Sequence, residues 1–112
     1  EETGFHIIDP KAHGVVNHYE NDRLSIVVYL FSTNVFFGSL KRDEELREGK
    51  LKWIDIDKIP YHKMWPDDQY WVPKLLAGEK DIEGHFYYNN DSKKLLKGEF
   101  RKGGEVCPVE IT

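Results

Sequence analysis

Short apolar and β-branched runs separated by turn residues mark most of the chain, and helical spacing of apolar positions appears once. The run Phe5-His6-Ile7-Ile8, closed by Asp9-Pro10, predicts a short strand and a turn. Residues 12–19 predict a second strand, and Glu20-Asn21-Asp22 has turn composition. Residues 24–31, Leu-Ser-Ile-Val-Val-Tyr-Leu-Phe, are rich in β-branched and aromatic side chains. The two strands together read as a hairpin whose second strand is central and largely buried. Alternation places Ile26, Val28 and Leu30 on one face of it and Val27, Tyr29 and Phe31 on the other, and one of these faces should line a pocket. Residues 43–48 form either a helical turn or a solvated loop, ended by Gly49. Leu51-Lys52-Trp53-Ile54 predicts another strand, with Trp53 in the core or a pocket wall, and residues 55–60 a short turn stopped by Pro60. A helix is predicted over residues 66–78. Pro66 suits its first turn, acids follow where the helix dipole favours them, Tyr70, Trp71, Leu75 and Leu76 recur at helical spacing, and Gly78 ends it. Residues 84–88 and 95–100 are two last strands around Asn89-Asn90-Asp91, and the tail beyond Gly103-Gly104 carries little pattern.

Strands mixed with at least one packed helix give an α+β or mixed α/β class. A length of 112 residues confines the chain to one domain with a modest core. The net charge of -4, with no Lys/Arg-rich block, argues against neutralising the phosphates of duplex nucleic acid. No apolar run is long enough to span a bilayer, so no membrane partner is expected. Cys107 is the single cysteine, which leaves neither an intramolecular disulfide nor a cysteine-based zinc cluster and suits a reducing compartment, the cytoplasm. The five histidines show no metal-binding spacing and read as surface or hydrogen-bonded strand residues.

The stretch "MWPDDQYW", residues 64–71, sets stacking surface beside negative charge. Two readings are open. Its aromatics could enter the core while Asp67 and Asp68 cap the helix. Alternatively, Trp65, Asp67 and Asp68 could line a pocket for a flat polar ring, since an indole face gains about 1–3 kcal/mol by stacking on a base and a carboxyl group pairs with ring N–H and amino donors.

Taken together, "EETGF" at residues 1–5, "GKLKWIDIDKIPYHKMWPDDQYW" and "LLAGEKDIEGHFYYN" resemble the Nudix hydrolases. The similarity is to the MutT-type branch that includes the 8-oxo-dGTP diphosphatases of animals, and it runs from residue 1 to about residue 100. The five opening residues look like the final E-E-x-G-U of the Nudix signature, where U is apolar. The resemblance therefore implies an α/β/α sandwich around a mixed sheet. Residues 1–112 would be the carboxyl-terminal two-thirds of one such domain, with 1–5 ending the signature and 101–112 a tail. The first strands and most of the signature helix would belong to a missing amino-terminal segment of the same domain.

The implied activity is hydrolysis of a nucleoside triphosphate, with 8-oxo-dGTP or a related oxidised purine as the expected substrate, to monophosphate and pyrophosphate, as in sanitation of the nucleotide pool. Water would be activated by Mg2+ or Mn2+, hard cations that take oxygen ligands. Glu1 and Glu2 would be catalytic and metal-binding, with Glu48 as a further metal ligand and Glu44 or Glu45 as alternatives to it. Trp65 would stack on the base while Asp67 and Asp68 hydrogen-bond its edge. Two alternatives remain: a nucleotide-binding fragment without catalysis, and a Nudix hydrolase of another nucleoside diphosphate derivative.

Overall fold

The computed structural model describes residues 5–38, 53–91 and 93–111. Among the described residues, seven strands and one helix follow in chain order: β1 Phe5–Ile8, β2 Lys11–Glu20, β3 Arg23–Ser32, β4 Val35–Gly38, α1 Asp68–Leu76, β5 Ile82–Tyr88, β6 Leu95–Lys102 and β7 Glu105–Val109. Short 3-10 turns occupy Ile56–Lys58 and Tyr61–Lys63. The fold divides into two compact units, one made of Glu1–Lys11 with Ser32–Ile59, the other of Ala12–Phe31 with Pro60–Thr112.

In the first unit β1 pairs antiparallel with β4, from Phe5 opposite Gly38 to Ile8 opposite Val35. Strand β4 was not expected from the pattern. Glu1 to Gly4 and residues 39–52, including the expected loop at 43–48, lie outside the described residues. Trp53 and Ile54 are in no strand, and Trp53 is 71% exposed, which corrects its assignment to a strand and to the core. Its indole packs on the rings of Phe5 in β1 and Phe36 in β4, at 5.6 and 5.8 Å.

The second unit is a mixed sheet ordered β3-β2-β5-β6-β7. Strand β2 runs parallel to β5, while β5–β6 and β6–β7 are antiparallel. Asn21 and Asp22, both at positive φ (51° and 64°), form the two-residue turn that joins β2 to β3. That conformation suits a hairpin, and Asn and Asp tolerate it. Strand β3 was expected to be central and largely buried, and the structure corrects this. Among the described residues it has a sheet neighbour on one side, and Leu24, Ile26, Tyr29 and Phe31 are exposed. A run of apolar residues looks the same whether one face or both are covered. Of the two faces, Val28 and Leu30 join the core.

Helix α1 begins two residues after Pro66 and lies on the sheet through Tyr70, Trp71 and Leu75, which pack against a core of Val16, Leu30, Ile82, Phe86, Tyr88 and Leu95. Tyr70 lies over Phe86 at 6.3 Å. Close approaches are paid for with glycine: a Cβ on Gly14, at φ 136°, would stand 2.0 Å from the Ile82 carbonyl oxygen, and one on Gly98 would stand 2.6 Å from the Phe86 ring. Strand β7 was not expected in the tail. It carries Pro108 on the outermost position of the sheet, where a missing N–H is tolerated. The mixed sheet with its packed helix agrees with the expected α+β class. Among the described residues, no helix is long and apolar enough to cross a membrane.

Candidate functional site

Alternation along β2 turns Val16 and His18 inward. The parallel register sets His18 beside Phe86, and Tyr88 lies two residues further on the same face of β5. Onto this surface the chain delivers residues 64–68. It leaves the Tyr61–Lys63 turn extended at Met64, passes Pro66 and enters α1, so that Trp65 stays at the surface, 46% exposed, while Asp67 drops beneath it with no exposure at all.

Three donors converge on the Asp67 carboxylate. His18 Nε2–H reaches Oδ2 at 2.7 Å, Trp71 Nε1–H reaches the same oxygen at 2.8 Å, and the Tyr88 hydroxyl donates to Oδ1. The Asp67 N–H returns a bond to the Tyr88 hydroxyl oxygen at 3.2 Å. Although Asp67 occupies the N-cap position of α1, it makes no side-chain cap bond. Its carboxylate therefore serves tertiary structure, not the helix end. Asp68 accepts the Trp65 N–H on Oδ2 at 3.2 Å, and 9% of it remains exposed. Rings close the arrangement: His18 stacks on Trp65 at 5.7 Å and 27°, and Tyr88 stands edge-on to Trp65 at 5.7 Å and 87°.

The two neighbouring acids are driven apart electrostatically. Burial would raise Asp67, but hydrogen bonds from His18, Tyr88 and Trp71 outweigh it and hold its carboxyl below the ordinary value. For Asp68, burial and then the Asp67 charge push the carboxyl up to about 6. Burial and the bond to Asp67 also raise the Tyr88 phenol. The result is a buried acid held in its ionised form beneath one that is half-protonated near pH 6, beside an open indole face.

The structure thus brings Trp65, Asp67 and Asp68 together and adds His18 and Tyr88, neither of which was singled out in the sequence. The available signal was their inward parity on strands with otherwise apolar inward positions. Glu1, Glu2, Glu44, Glu45 and Glu48 lie outside the described residues. Among the described residues, no group of three or more His, Cys, Asp or Glu side chains is arranged to hold a metal ion. A cavity of about 480 Å³ opens elsewhere, between the hairpin turns at Asn21-Asp22 and Asn89-Asn90-Asp91, and none of Trp65, Asp67 or Asp68 lines it.

No family model matches the chain. It is 38% identical over 68 residues to the oxidized purine nucleoside triphosphate hydrolase of Mus musculus, covering 61% of this chain and 41% of that protein. It is 36% identical over 61 residues to the protein of the same name from Danio rerio, covering 54% of this chain and 36% of that one. Against an uncharacterized Nudix hydrolase of Bacillus subtilis (strain 168), YvcI, the identity is 30% over 99 residues, covering 85% of this chain and 61% of the relative. The crystal structure of a MutT protein from Bacillus halodurans superposes with a TM-score of 0.74 at 21% identity, over 88% of this chain and 65% of that one, which establishes the fold. The chain spans less than two-thirds of the length of each of these relatives.

Proposed function

We infer that this chain, a relative of the MutT-type Nudix hydrolases, supplies the base-recognition part of an enzyme that hydrolyses a nucleoside triphosphate to monophosphate and pyrophosphate. An oxidised purine triphosphate such as 8-oxo-dGTP is the proposed substrate. The observation that carries this reading is the half-exposed Trp65 indole held beside Asp68 on a buried Asp67 network. Stacking on the indole contributes about 1–3 kcal/mol and accepts any base. Selectivity then falls to Asp68. With its carboxyl pushed up to about 6, it accepts from a ring N–H or amino group when ionised and donates to a carbonyl oxygen when protonated, a pairing that suits an oxo-purine edge.

Glu1 and Glu2, with Glu48, are the proposed holders of Mg2+ or Mn2+. When bound, the ion neutralises polyphosphate charge and lowers the pKa of the attacking water. Recognition of the base proceeds through this chain's own residues: Trp65 positions the ring and Asp68 reads its edge, while Asp67 supports both from below.

A pyrophosphate-release screen over ordinary and oxidised deoxynucleoside triphosphates with Mg2+ tests this, on the 112 residues alone and on the full-length protein. Turnover of oxidised purines by the full-length protein, abolished by chelation, is the expected outcome. Absence of turnover from both proteins on every nucleotide would overturn the hydrolase reading. Binding without turnover by the 112 residues alone would identify this chain as a base-binding body.

A further inference from the structure

His18 is an anomaly in its strand. Its neighbours on the inward face, Val16 and Phe86, are apolar and fully buried, and a large apolar residue would fill the position without electrostatic cost. Instead the side chain is nine-tenths buried and spends one nitrogen on Asp67, while Nδ1 has no hydrogen-bond partner among the described residues. An unpaired buried polar atom costs about 1–3 kcal/mol. That cost falls at one place, under the turn that presents Trp65 and Asp68. Because Asp67 is ionised and can only accept, the tautomer is set: Nε2 carries the proton and Nδ1 is a bare acceptor when the ring is neutral.

Both substrate-facing groups depend on this ring. The Trp65 indole has two ring contacts among the described residues, His18 behind it and Tyr88 at its edge. Asp68 adjoins Asp67, whose Oδ2 is doubly engaged by His18 and Trp71 and whose carboxylate has no accessible surface. We propose that His18 is a positioning residue for base recognition, holding Asp67 through Nε2 and backing the Trp65 indole with its ring. The proposal rests on the base-recognition reading above.

Two variants of the full-length protein separate the two contacts. His18→Phe keeps a flat ring behind the indole and removes the donor to Asp67, whereas His18→Gln keeps a donor and removes the ring. Steady-state kinetics over 8-oxo-dGTP, dGTP and dATP, with thermal midpoints to certify folding, provide the readout. Loss of a hydrogen bond to a charged group should raise KM for the preferred triphosphate about tenfold in His18→Phe, with kcat nearly unchanged. It should also compress the ratios of kcat/KM among the three bases. His18→Gln should restore those ratios and raise KM for all three alike. Either variant, if folded and carrying wild-type KM and base ratios, overturns the proposal. A wild-type protein that turns over none of the triphosphates overturns the substrate reading and this inference with it, whereas a discriminating wild type beside unaltered variants overturns this inference alone.

Discussion

At the scale of the residue, two adjacent aspartates have opposite effects on stability. Asp68 is raised to about 6 in the folded state, so its favourable contribution is complete below its unfolded value and is lost as pH rises through about 6. Asp67 is lowered, so its contribution is complete above the ordinary aspartate value and is lost as pH falls through its folded value. Urea denaturation at pH 7.5 should therefore find Asp68→Asn equal to wild type or more stable. Asp67→Asn, which leaves donors facing a neutral amide in a site with no solvent, should lose about 2–5 kcal/mol. Equal losses in both variants would refute this division of roles. Trp65→Ala removes a half-exposed side chain, and its KM for a purine triphosphate should rise about tenfold through lost stacking. A large fall in thermal midpoint with no change in KM would instead make Trp65 a core residue. "MWPDDQYW" marked this site in the sequence, but the difference between its two acids was not legible there, because it arises from His18 and Tyr88, 49 and 21 residues away from Asp67.

At the scale of the element, alternation located β1, β2, β3, β5 and β6 to within two residues at each end, and helical spacing located α1. Strands β4 and β7 escaped it. Each is short, and β7 follows Gly103-Gly104 and contains Pro108, a composition that locally reads as turn. The capping role considered for Asp67 failed for a related reason: position N-terminal to a helix is a local property, while the choice of hydrogen-bond partner is tertiary. Glycine positions test how β2, β5 and β6 seat the site. Gly14→Ala meets the Ile82 backbone at a positive φ, and Gly98→Ala meets the Phe86 ring. Gly104→Ala has nothing within 4 Å and carries only the strain of φ 86°. Chemical denaturation should rank Gly14→Ala most destabilised, by about 2–4 kcal/mol, and Gly104→Ala least, near 1 kcal/mol. The reverse order would refute the close packing of β2 on β5.

At the scale of the whole molecule, the two compact units differ in what holds them. Among the described residues, the second unit contains the buried core, with Val16 and Phe86 at zero exposure, whereas the two strands of the first pair only with each other and leave Ile7, Ile8, Val35, Phe36 and Phe37 exposed. Two-stranded sheets are marginal by themselves. Hydrogen exchange should therefore protect amides of β2, β5 and β6 at least about a hundredfold more than those of β1 and β4. Uniform protection would contradict that asymmetry. The sequence by itself determined the class of fold, the strand and helix order around the site, and the motif that relates the chain to the Nudix hydrolases, because periodicity and short motifs are local in the chain. Only the tertiary structure decided that β3 has one sheet neighbour among the described residues, that Trp53 is exposed, and that one aspartate carboxyl is held down while its neighbour's is pushed up to about 6. Exposure, hydrogen-bond partners and pKa depend on residues brought together from distant strands, and no local pattern encodes which strand will arrive.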